Sequence, residues 1–101
     1  NNYRQYYYSN FELMILIKNT VWWITGASSG IGKSLAIYIL NKGGKVVLSS
    51  RNKDSLLNIA TETKKSSDNY LILPLDLENL ANPKEMVESV INKFSRIDYL
   101  I

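Results

Sequence analysis

The stretch Thr25-Gly26-Ala27-Ser28-Ser29-Gly30-Ile31-Gly32 decides the fold, because of what stands on either side of it. Before it, Val21, Trp22, Trp23 and Ile24 form a short unbroken apolar run, the pattern of a strand buried on both faces. After it, Ile31, Leu35 and Ile39, with Ala36 and Leu40 beside them, recur at helical spacing. A glycine turn between a strand and a helix suits a phosphate. The unpaired N–H groups and positive dipole end of the helix attract the negative charge. Gly26 permits the tight turn out of the strand, Gly30 lets the main chain approach a pyrophosphate, and Gly32 lets the helix pack close to the sheet. Ser28 and Ser29 add hydroxyl donors.

Working outward, the first helix stops at Gly43-Gly44, where glycine can take the left-handed conformation that closes a C-terminus. Residues 45–50 read as a second strand. Asn52 is the expected N-cap of a helix over 53–65, with Leu56, Leu57 and Ile59 facing inward. A third strand is expected over 70–75. Asn82-Pro83-Lys84-Glu85 opens another helix, with Asn as cap, Pro in the first turn and Glu placed to close a capping box. Met86, Val87, Val90, Ile91 and Phe94 supply its apolar face, and residues 97–101 form a fourth strand. Strands that alternate with helices make an α/β chain with a parallel sheet and right-handed crossovers. Helices on both faces favour the order 3-2-1-4. Ligands bind where that winding reverses, beyond the carboxyl ends of the strands, and the glycine turn leaves the first strand there.

The zero counts exclude several chemistries. Without His or Cys, the chain offers no Ser-His-Asp triad, Cys nucleophile, His acid–base group or ordinary zinc site. No metal site is expected. The net charge of +3 is spread along the chain, without a stripe of cations interleaved with aromatics, so no nucleic-acid partner is expected. Residues 1–14 read as an N-terminal extension, with four tyrosines among polar residues. Residues 15–101 read as the N-terminal part of a dinucleotide-binding domain. The apolar run 13–17 is far shorter than the roughly 20 residues a membrane span needs.

TGASSGIG (25–32) resembles the TGxxxGxG signature of the short-chain dehydrogenase/reductase family at every fixed position. The likeness continues through KVVLSSRN (45–52), LPLDL (73–77) and RIDYLI (96–101), and covers about residues 17–101. It implies a Rossmann-type sheet, incomplete at four strands, and a nicotinamide cofactor held by Gly26, Ser28, Ser29, Gly30, Ile31 and Gly32. In such sites an acid ending the second strand binds the ribose 2′-OH, whereas Arg accommodates a 2′-phosphate. Ser50-Arg51 stands there. A guanidinium matches phosphate through paired donors, so Arg51, with Asn52 beside it, points to NADP(H) rather than NAD(H). Asp76 matches the family position that meets the adenine amino group, with Leu77 next to it. The expected substrate is a small carbonyl or alcohol, and the expected assembly a homo-oligomer. Within the family the chain looks most like members acting on lipophilic carbonyls, some with an N-terminal membrane anchor. That implies a cytoplasmic or endoplasmic-reticulum-membrane location.

The family's catalytic Ser, Tyr, Lys and Asn have no counterpart here, so no catalytic residue is assigned. Tyr38 and Lys42 spell Tyr-x-x-x-Lys, but near the far end of the first helix, about 15 Å from the glycine turn at 1.5 Å per residue. The chain opens on Asn1 and closes on Ile101 inside an apolar run. The expectation is therefore the N-terminal part of a longer enzyme, marginally stable by itself and without turnover. Two alternatives stand beside this reading. Residues 27–34 fit a relaxed phosphate-binding loop of nucleoside triphosphatases, in which Lys33 would reach the phosphates and Ser34 would ligate magnesium. The other is a dinucleotide-binding module without chemistry.

Overall fold

The computed structural model describes residues 9–80 and 82–101. Its order is α1 (Asn10–Ile17), β1 (Val21–Thr25), α2 (Gly30–Asn41), β2 (Lys45–Ser49), α3 (Lys53–Thr63), β3 (Tyr70–Ile72), α4 (Pro83–Phe94) and β4 (Tyr99–Leu100). The four strands are parallel and lie in the order β3-β2-β1-β4. Thr25 pairs with Ser49, and Leu48 with Ile72. The register therefore brings the carboxyl ends of β1, β2 and β3 to one edge.

Alternate residues of each strand feed different layers. Ile24, Val46 and Leu48 pack with Ala36, Ile39 and Leu40 of α2 and Leu56, Ile59 and Ala60 of α3. Val21, Trp23 and Val47 pack on the other face with Val90 of α4, flanked by Met86 and Phe94. Both faces of the sheet are covered, which explains why its strands read as continuous apolar runs.

The ends of the elements follow local chemistry. α2 stops where Gly43 takes φ +87° and Gly44 N–H donates to the Ile39 carbonyl at 2.9 Å. Pro74 cuts β3 short of the expected residue 75, since proline has no N–H for the ladder. On either side of it, Leu73 N–H still donates to Leu48 and Leu75 N–H to Ser50, both at 2.9 Å. β4 is shorter than 97–101, although Asp98 N–H reaches the Val21 carbonyl at 2.9 Å and Ile101 N–H the Trp23 carbonyl at 2.8 Å. α3 ends at Lys64 in the left-handed region rather than running to 65.

Two expectations need correction, at Leu57 and at Asn82. Leu57 is exposed, because Leu56, Ile59 and Ala60 share the buried face and Leu57 lies off it. Ile31 is 87% exposed at the mouth of the glycine turn. Asn82 makes no side-chain cap; at ψ 68° it is out of the extended conformation that aims a cap at the helix amides. Of the N-terminal extension assigned to 1–14, residues 1–8 lie outside the described residues, and residues 10–14 belong to a helix.

That helix, α1, is capped by a box. Ser9 Oγ accepts from Glu12 N–H at 3.1 Å, and Ser9 N–H donates to Glu12 Oε2 at 3.0 Å. Ile17 anchors it to the core beside Gly44, where a Cβ would crowd Ile17 and Ile39. Phe11, Met14, Ile15 and Leu16 remain exposed. No helix among the described residues is long and apolar enough to cross a membrane.

Candidate functional site

The loops that leave β1, β2 and β3 enclose a cavity of about 380 Å³ at the carboxyl edge of the sheet. Thr25, Gly26 and Ser28 line it from the first loop, Ser49 to Asn52 from the second, and Leu75 to Glu78 from the third. Of the predicted residues it gathers Gly26, Ser28, Arg51, Asn52, Asp76 and Leu77. Ser29, Gly30, Ile31 and Gly32 lie outside its wall, where the turn becomes α2.

The turn has the backbone that its glycines foretell. Gly26 and Gly30 stand at φ +64° and +59°, and a Cβ built on either would meet nothing within 4 Å. Both conformations are costly for other residues, and the space above them is open. Gly32 is different, since a Cβ there would collide with the Gly26 carbonyl oxygen. Ser29 is the N-cap of α2 but makes no side-chain cap bond. The first-turn amides of α2 are thus left without a capping acceptor, the condition for binding an external anion. An open turn of this shape fits a diphosphate.

The second loop is fixed by its own hydrogen bonds. Asn52 Oδ1 accepts from Ser55 N–H at 3.2 Å and caps α3, and Asn52 N–H donates to Ser50 Oγ at 3.2 Å. The Asn52 side chain is therefore committed to holding the loop. Arg51, between them, is exposed and forms no salt bridge among the described residues. In the third loop Asp76 Oδ1 accepts from Glu78 N–H at 2.9 Å, and the Asp76 carbonyl accepts from Asn79 N–H at 3.0 Å. The floor is Ser49, fully buried, whose hydroxyl accepts from Trp23 Nε1 at 2.8 Å.

Sequence reasoning missed Ser49 and Glu78 as lining residues. Ser49 ends a buried strand on the ligand side, a signal available from its place in the sheet. Glu78 belongs to no motif, and only the turn around Asp76 brings it into the wall. Lys33, the residue a nucleoside-triphosphatase loop would need, instead pairs with Glu62 of α3 at 3.6 Å. Tyr38, near the C-terminal end of α2, and Lys42, the residue that caps it, sit together, with the ammonium 5.6 Å from the ring centroid. This is a surface cation–π contact.

Residues 20–101 match the family model described as short chain dehydrogenase. An uncharacterised oxidoreductase of Listeria innocua is 39% identical over 82 residues, which are 81% of this chain and 33% of that protein. Among solved structures, a 3-ketoacyl-(acyl-carrier-protein) reductase of Brucella melitensis complexed with NADH superposes with TM-score 0.72 at 32% identity. That match covers 83% of this chain and 33% of the other. The C-domain of a bacterial malonyl-CoA reductase with NADP superposes with TM-score 0.78 at 28% identity, covering 87% and 15%. The chain spans about a third of the length of the curated relatives it matches.

Proposed function

Because the chain belongs to the short chain dehydrogenase family, we propose that it is the cofactor-binding part of an NADP(H)-dependent oxidoreductase acting on a small carbonyl or alcohol. The observation that carries the cofactor reading is the pairing of an open glycine turn with an exposed Arg51 that forms no ion pair among the described residues, where β2 ends without a carboxylate. NADP(H), when bound, supplies or accepts the hydride. The residues of this chain bind and orient it. The main-chain amides from Ser28 to Gly32 would hold the diphosphate, Arg51 the 2′-phosphate, and Asp76 and Leu77 the adenine side of the cavity. No residue of the chain is assigned a proton-transfer role.

Similarity in fold does not choose between the cofactors, because one structural neighbour carries NADH and another NADP. The choice rests on the loop after β2. Arg51→Asp in the intact protein should weaken NADPH binding by about tenfold or more, since a charged hydrogen bond is lost and a repulsive charge put in its place. NADH binding should change little. Equal affinity of the unsubstituted protein for NADH and NADPH, by calorimetry, would reject the NADP(H) assignment.

A further inference from the structure

Glu78 lines the same cavity as Arg51. Its N–H is tied to Asp76 Oδ1, and the next residue closes the same turn through Asn79 N–H. The main chain at Glu78 is therefore held in place, and its carboxylate enters no salt bridge among the described residues. The wall after β3 thus carries two carboxylates, Asp76 and Glu78, while the wall after β2 carries one guanidinium. We infer that Glu78 is a specificity-determining residue that moderates the preference Arg51 gives the cavity for a 2′-phosphorylated nucleotide. This deepens the cofactor reading above and rests on it.

The physical reason is charge. A 2′-phosphate brings close to two negative charges near neutral pH, and a free 2′-hydroxyl brings none. A carboxylate in the shared cavity repels the first and is indifferent to the second. At separations of several ångströms in a solvent-open cleft, the repulsion amounts to about three- to fivefold in affinity, less as salt is added. Asp76 is a weaker candidate, because one of its oxygens already serves the turn.

Adenosine 2′,5′-bisphosphate and adenosine 5′-monophosphate separate these effects. Their dissociation constants are measured for the intact protein and for Glu78→Gln, Glu78→Lys and Arg51→Gln, at low and moderate ionic strength. Glu78→Gln should bind the bisphosphate about three- to fivefold tighter and the monophosphate as before, with a gain that shrinks in salt. Glu78→Lys should exceed it. Should both Glu78 variants leave the ratio of the two constants unchanged while Arg51→Gln collapses it, the role of Glu78 falls and the cofactor reading stands. Should the unsubstituted protein and Arg51→Gln treat the two nucleotides alike, the cofactor reading fails and carries this inference with it.

Discussion

Gly30 and Gly32 are two residues apart and answer to different constraints. Gly30 is fixed by its backbone angle and faces open space; Gly32 is fixed by the Gly26 carbonyl, which leaves no room for a methyl group. Gly32→Ala must therefore shift the turn against α2, at a cost of about 1–3 kcal/mol. Gly30→Ala should cost about 1–2 kcal/mol from its left-handed angle alone, and it should also weaken nucleotide binding by placing a methyl group over the turn. Thermal unfolding combined with nucleotide titration distinguishes them: Gly32→Ala should lose more stability, and Gly30→Ala more affinity per unit of stability lost. At this scale the sequence was highly legible, since each glycine of the motif has the conformation or close contact its spacing implied. Arg51 was legible only in its place, on the loop after β2, where it lines the cavity. Glu78 was not, because its place depends on a turn closed by the side chain of Asp76, and no spacing rule encodes that.

Among the elements, caps separate what was readable from what was not. Asn52 and Asn82 look equivalent in the sequence, each just before an apolar-periodic helix, yet only Asn52 bonds its helix. Asn52→Ala should therefore cost about 0.5–2 kcal/mol. Asn82→Ala should stay within about 0.5 kcal/mol, as an ordinary surface change does. Denaturant unfolding of the two variants checks the contrast; equal losses would mean that Asn82 caps α4 after all. α1 carries the opposite lesson. Its Ser9-x-x-Glu12 box is a recognisable start signal, but the tyrosine-rich stretch before it hid the pattern. Strand lengths were the least legible feature, because a ladder ends where a partner or an N–H is missing. Pro74 announces one such end in the sequence, whereas the short pairing of β4 depends on β1 alone.

For the molecule as a whole, parallel strands put two different regions at its two ends. The carboxyl edge holds the cavity. At the opposite edge Asp98 Oδ2 accepts from Val21 N–H at 2.7 Å, and Arg96 Nε donates to Asp98 Oδ1 at 3.0 Å. The Arg96 hydrogen bond, followed by that from Val21, holds the Asp98 carboxyl below its ordinary range. A carboxylate lowered in the folded state adds stability that is complete above the ordinary carboxylate range and lost as pH falls through the folded value. Asp98→Asn should therefore lower the Tm at neutral pH and flatten its fall in acid. Parallel acid profiles for the two proteins would remove Asp98 from the account.

In the proposed reading of the cavity, the grip on an anion and the choice of anion belong to separate parts. The turn after β1 offers main-chain N–H groups, which every amino acid but proline possesses, whereas Arg51 and Glu78 stand on neighbouring loops anchored by their own hydrogen bonds. Substitution at either of those side chains leaves the glycine turn intact. On that reading, a lineage or an engineer could retune which coenzyme is admitted by small steps, without passing through an intermediate that binds none.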